Sequence, residues 1–217
     1  VEEGTPLMNK SRRFEFGVER VLDNKSSIEA TAFFDSVIGR GISLTNQPIN
    51  VLSPEDFEEF TATQQGNASG IRFVYSRRIN HIFSASAGYS FGTGQKLSSE
   101  SVTNPANIFE TGVFQTFVGQ VNTDLRTGTN VQTIFRLSPQ ATVFAIDPFQ
   151  GRLAIFDPSL SVLVRQSLPT LGLPIQASAV IDARNILDFQ AGISNEEGSL
   201  RINSQRRILR GGILVRF

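Results

Sequence analysis

The sequence predicts an all-β fold: an antiparallel transmembrane β-barrel, with about 10–11 strands in this chain, forming part of a larger barrel. Three observations carry that expectation. Helical periodicity is almost absent, while segments with an apolar residue at every second position recur between turn signals. No run of about 18 apolar residues exists to form a membrane helix, yet the mean hydropathy of −0.07 suits strands that alternate lipid-facing with lumen-facing residues. The last segment, residues 207–217, alternates Leu209, Gly211, Ile213, Val215 and Phe217 against Arg210, Gly212 and Arg216, with Leu214 the exception. Its length fits a tilted membrane strand of about 9–11 residues. A strand ending on an aromatic carboxylate suits the strand that closes a barrel and engages the barrel-assembly machinery.

The elements follow in chain order. Residues 12–22 place Phe14, Phe16 and Val18 opposite Glu15, Gly17 and Glu19, and Asp23-Asn24-Lys25 forms a tight turn. Residues 26–37 place Ile28, Ala30, Ala32 and Phe34 opposite Glu29, Thr31 and Asp35, with Phe33 breaking the polar side. A polar external loop is expected over 38–69. Residues 70–79 and 81–93 read as a hairpin. The second of these sets Phe83, Ala85, Ala87, Tyr89 and Phe91 against Ser84, Ser86, Gly88, Ser90 and Gly92, a small-residue face suited to a lumen or a close neighbour. A second loop is expected over 94–111. Residues 112–123 and 130–137 pair across a turn. Short strands follow over 141–147 and 151–156, then strands over 159–167 and 175–184, a third loop over 185–205, and the closing strand. Counted back from that strand, the three long loops fall on one side, and the strand count of about eleven is odd.

Composition narrows the function. The chain has 217 residues, read as one barrel domain or barrel sector over 1–217, with 20 Lys+Arg against 20 Asp+Glu. Zero net charge removes the basic patch that nucleic-acid binding needs. One histidine and no cysteine leave no zinc site, disulfide or thiol chemistry to expect. Phe numbers 18 while Tyr numbers 2 and Trp is absent, so an interfacial girdle would rest on Phe. Val1-Glu-Glu-Gly-Thr-Pro6 is not a leader pattern, so an exported protein would be represented here in mature or partial form.

The C-terminal third resembles the end of the barrel of TonB-dependent outer-membrane transporters, closest to receptors that carry a carboxypeptidase-regulatory-like domain. The carrying residues are Leu160-Ser-Val-Leu-Val-Arg-Gln-Ser-Leu-Pro169, Val180-Ile-Asp-Ala-Arg-Asn-Ile-Leu-Asp188 and the segment 207–217. Asn185-Ile-Leu-Asp188 matches the family's rim element at the end of the penultimate strand, with Ile in place of a first Leu. The resemblance implies a bacterial outer-membrane location and outer-membrane lipid as a partner. It also implies a plug and further strands beyond this chain, because the family's barrel has about 22 strands. Function would be substrate passage, with recognition by the external loops. The alternatives are a complete small outer-membrane barrel with a structural or adhesive role, and a soluble secreted β-sandwich binding module.

Other motifs carry little chemistry. Ser53-Pro-Glu-Asp-Phe-Glu-Glu-Phe60 reads as a helix start in an external loop rather than as a carboxylate site. Gly92-Thr-Gly-Gln-Lys96 lacks the Gly-Lys-Ser/Thr ending of a phosphate loop. His81 has no His or Cys partner for a metal. Arg206 and Arg207, with Arg201 and Arg210, read as solvated or lumen-facing charges in preference to a lipid-headgroup site. No catalytic set and no cofactor site is expected.

Overall fold

The computed structural model describes residues 10–48, 58–98, 108–140, 142–144, 146–149, 152–153, 159–169, 175–195, 198–202 and 207–216. Among them twelve strands form in chain order: β1 (Lys10–Asp23), β2 (Ser26–Pro48), β3 (Glu58–Arg78), β4 (Phe83–Leu97), β5 (Phe109–Asp124), β6 (Thr129–Leu137), β7 (Thr142–Val143), β8 (Ser159–Leu168), β9 (Gln176–Arg184), β10 (Gly192–Asn195), β11 (Gly198–Ile202) and β12 (Ile208–Arg216). No helix occurs among the described residues.

All twelve belong to one antiparallel sheet. Its body is a meander, β1-β2-β3-β4-β5-β6-β8-β9-β12, in which each strand pairs with its neighbour in sequence apart from the short β7, β10 and β11. The sheet does not close. Among the described residues β1 pairs only with β2 and β12 only with β9, so each leaves an outer edge free there.

Local chemistry sets the tight turns at one end. Lys25 N donates to the Asp23 carboxylate at 2.7 Å, and that bond, with those from Ser26, holds the Asp23 carboxyl below the usual carboxylate range. Asn80 Oδ1 accepts from Ile82 N and Phe83 N, both at 2.8 Å. Gly128 takes φ of 78° in the β5–β6 turn, a left-handed conformation that costs glycine little. The long connections lie at the other end, beyond β2–β3, β4–β5, β6–β8 and β9–β12.

The strands extend further than their periodicity suggested. The expected loop 38–69 is largely strand, because β2 and β3 pair from Ser26↔Arg77 up to Asn46↔Glu58. Gly39 is the reason the pattern was hidden. It adopts φ of 77° and drops out of register between Ile38 and Arg40, a one-residue bulge. Below it the odd residues Glu29, Thr31, Phe33, Asp35 and Val37 are buried; above it the even residues Ile42 and Leu44 are. The bulge thus keeps one face of β2 turned the same way while the sequence parity flips. The helix-start segment lies outside the described residues over 53–57, and its last residues, Glu58–Phe60, begin β3. Expected loop 94–111 gives up both ends to β4 and β5. Expected loop 185–205 contains the β10–β11 hairpin, whose second strand pairs with the far end of β2.

The expected strand 141–147 is reduced, and of the expected strand 151–156 all but Arg152 and Leu153 lies outside the described residues. Over 141–156 only Thr142–Val143 is strand among the described residues. The segment instead crosses one face of the sheet.

The two faces of the meander are opposite in character. Register sets Val18, Ala30, Phe73, Tyr89, Phe117 and Leu137 in one lateral row. A neighbouring row holds Phe16, Ala32, Ile71 and Phe91. On β8, β9 and β12 the same face carries Val164, Ile181 and Gly211 side by side. The large apolar residues of the first two rows, and Ile181, are exposed, from Phe16 at 70% to Leu137 at 46%, Phe117 at 42% and Phe73 at 39%. The opposite face buries Glu29, Asp35, Arg72, Ser90, Thr116 and Gln120.

Candidate functional site

The polar face is organised around one arginine. Arg72 sits in the middle of β3, 1% exposed at its side chain, at a position whose sequence neighbours Ile71 and Phe73 point to the other face. Its guanidinium meets the Glu29 carboxylate of β2 at 2.9 Å and that of Glu15 on β1 at 3.2 Å. It also donates to the Pro148 carbonyl. Burial of a charge costs several kcal/mol unless it is paired and hydrogen-bonded, and here three partners from three segments meet that need.

Pro148 belongs to the crossing segment, whose described residues, 142–144, 146–149 and 152–153, lie over the polar face as a strap. β7 pairs with the end of β4 through Gln95↔Val143 and Lys96↔Thr142. Gln64 Nε2 donates to the Val143 carbonyl at 3.2 Å. Phe144 stacks edge-on against Phe114 at 4.8 Å. Arg13 donates to the Asp147 carbonyl at 2.8 Å, Arg136 pairs with the Asp147 carboxylate, and Arg152 pairs with Glu29 at 3.0 Å. Phe149 and Leu153 then fill an apolar pocket with Val74, Val118 and Ile134.

Gly88 makes that last contact possible. A Cβ there would stand 2.6 Å from the Phe149 ring and 2.9 Å from Leu153 Cδ1. The small-residue face of β4 is therefore a seat for a close neighbour, and the strap is that neighbour. In all, four arginines (Arg13, Arg72, Arg136, Arg152) meet four carboxylates (Glu15, Glu29, Asp35, Asp147) between sheet and strap. Phe33, which interrupts the polar pattern of β2, lies under the Arg13 guanidinium at 4.8 Å as a cation–π partner.

The rim element stands directly after β9. Asn185 is fully buried with φ of 47°. Its Oδ1 accepts from Ser159 Oγ at 2.6 Å and Phe189 N at 2.9 Å, and its Nδ2 donates to the Phe189 carbonyl. Asp188, also left-handed at φ of 53°, accepts from Arg207 N at 3.2 Å. The turn thus ties the starts of β8 and β12 to the end of β9.

On β12, Leu209, Gly211, Ile213 and Val215 face the apolar side and are exposed, while Phe217 lies outside the described residues. Gly92-Thr-Gly-Gln-Lys96 lies within β4, where Lys96 pairs with Glu110 at 3.0 Å. His81 is exposed in a turn, 3.5 Å from Arg126. Arg206 is outside the described residues, and Arg201 reaches Gln190 at 3.4 Å. Among the described residues no cluster of three His, Cys, Asp or Glu side chains has metal-binding geometry.

Compared with known proteins, the chain matches no family model, no curated protein and no solved structure. The reading of function therefore rests on the two faces, the strap and the free edges.

Proposed function

We propose that this sheet is a sector of a bacterial outer-membrane β-barrel, of the TonB-dependent transporter type, forming the wall and external loops of a substrate uptake channel. The observation that carries the reading is the inversion of the two faces: large apolar side chains exposed, charges buried. Removing a large apolar side chain from water is worth about 1.5–3 kcal/mol. A face carrying Phe14, Phe16, Ile71, Phe73, Tyr89, Phe91, Phe117 and Ile181 in water therefore forgoes on the order of the whole net stability of a domain, about 5–15 kcal/mol. Hydrocarbon removes that penalty, and a charged inner face is the complement a barrel lumen requires. On β4 the apolar residues run from Phe83 to Phe91. That is about 27 Å along a strand, or roughly 20 Å of height at a barrel tilt of about 35–45°, close to the apolar belt of such barrels.

Strand direction says what completes the barrel. Every pairing in the meander is antiparallel, so β1 and β12, first and ninth, run the same way. Antiparallel closure of one edge on the other is impossible, and so is closure by a second copy inserted in the same sense. An odd number of further strands fits between them, and the free edges need those partners because unpaired backbone is not tolerated in lipid. In this arrangement the tight turns lie on the periplasmic side and the long connections outside. The strap narrows the passage along the inner wall. Transport as the activity follows the resemblance of the C-terminal third to TonB-dependent transporters.

Gel migration tests the proposal. The complete protein, extracted in mild detergent, should migrate differently before and after boiling and should precipitate when detergent is withdrawn. Unchanged migration together with solubility in plain buffer would reject it.

A further inference from the structure

We propose that the split between β3 and β4 binds one small monovalent cation of the sodium class. The inference concerns the interior of the sheet and stands apart from the membrane reading. The β3–β4 ladder ends at Ser69↔Thr93. Beyond it β4 takes β7 as its neighbour instead, and the two strands part. Between them lies a cavity of about 10 Å³, lined by Asp35, Gln64, Gly66, Gln95 and Val143 among others. That is the space of about one water-sized sphere.

The lining holds several buried acceptor oxygens. Asp35 is 4% exposed and Gln64 1% exposed. Both Asp35 carboxylate oxygens, Gln64 Oε1 and Gln95 Oε1 are buried without a hydrogen-bond donor. The amide orientations are fixed by their other ends: Gln64 Nε2 donates to the Val143 carbonyl and Gln95 Nε2 to the Gln65 carbonyl at 2.7 Å. Gly66 leaves the room that the Gln95 side chain uses, since a Cβ there would stand 2.8 Å from its Oε1.

Asp35 is the one ionisable residue in the cavity lining. Arg13 Nε lies 3.4 Å from Asp35 and 2.7 Å from Glu15, and the longer contact leaves both Asp35 oxygens without a hydrogen bond. A water in the cavity has two hydrogens for four unpartnered oxygens. A cation is attracted by all four. Oxygen ligands select a hard ion, and a single carboxylate with neutral amides falls short of the six to eight oxygens, carboxylates prominent among them, that calcium takes. A bound ion would also pin the strap, because Val143 is part of the wall.

The test compares thermal unfolding of the complete detergent-solubilised protein in sodium chloride and in N-methylglucamine chloride at equal ionic strength, with sodium binding followed in parallel by ²³Na relaxation. A site-bound ion raises the midpoint in sodium by linkage, and Asp35→Asn abolishes that increment. Gln95→Ala keeps the carboxylate and should weaken sodium binding about tenfold, which converts to about 1.4 kcal/mol; it serves if Asp35→Asn does not fold. Equal midpoints in the two salts for the unsubstituted protein, or an increment unaltered in Gln95→Ala, would overturn the proposal and leave a bound water only.

Discussion

Arg72 and Glu29, on adjacent strands β3 and β2, lie 2.9 Å apart on a sheet whose other face is exposed and apolar. The pair does more than neutralise two charges. Glu29 also holds Arg152, and Arg72 also holds the Pro148 carbonyl, so both partners reach from the sheet to the strap. Replacing Arg72 by alanine leaves Glu29 with Arg152 and Thr31 but frees the middle of the strap. Loss of about 3–5 kcal/mol of unfolding free energy is expected, the usual result of breaking a buried ion pair. Chemical denaturation in detergent measures it. A loss under about 1 kcal/mol, as for a surface pair, would show that the network is not structural.

Gly88 tests the strap by a different route. Gly88→Val places methyl groups where the Phe149 ring lies, and overpacking of this kind costs about 1–3 kcal/mol. The cheapest relief is displacement of the strap, since β4 is held on both sides by β3 and β5. Hydrogen exchange at the Leu153 amide, which bonds to the Phe149 carbonyl at 3.1 Å, should accelerate while exchange in β4 and β5 is unaltered. Uniform acceleration across the sheet would contradict a separable strap.

The apolar face gives a test that separates lipid from water. Phe117 lies mid-row and 42% exposed. In a bilayer, Phe117→Arg should destabilise by about 2–4 kcal/mol, the cost of a cation at the midplane of a barrel wall. On a water-facing surface the same change would fall within about 0.5 kcal/mol. Reversible folding into thin-chain phospholipid vesicles provides the readout.

Asn185→Ala removes an acceptor for Ser159 and Phe189 from a fully buried site and places alanine at φ of 47°. A cost of about 1–3 kcal/mol is expected from the unpaired groups alone. Asn185→Gly relieves the backbone but not the hydrogen bonds, so it should recover only part of that cost. Full recovery with glycine would mean that the side-chain bonds are unimportant.

How much of this was legible in the sequence depended on what each residue faces. Strands such as β4 announce themselves because Phe83 through Phe91 alternate strictly across two unlike environments. Beyond the apolar rows both faces of β3 are polar, as in Thr61, Thr63, Gln64 and Gln65, so alternation no longer marks a strand, and the Gly39 bulge resets the parity of its partner. Phe144 and Leu153 imitate strand residues because they are apolar. Their apolarity answers to packing against Val118 and Phe114 across the sheet, which no local pattern encodes. The arginine network was invisible for the same reason: Arg72 is one charge in an apolar run until register sets Glu29 and Glu15 beside it.

The inversion of the two faces is the claim on which the rest stands, and a cysteine scan tests it most directly. The chain contains no native cysteine, so each introduced thiol can carry a single spin label. Labels at Phe73, Tyr89 and Phe117 should relax with membrane-dissolved oxygen and be shielded from a water-soluble nickel complex. Labels at Ser76, Ser86 and Gln132, on the opposite face, should show the reverse. Water access at the first set in the membrane-reconstituted protein would contradict the account.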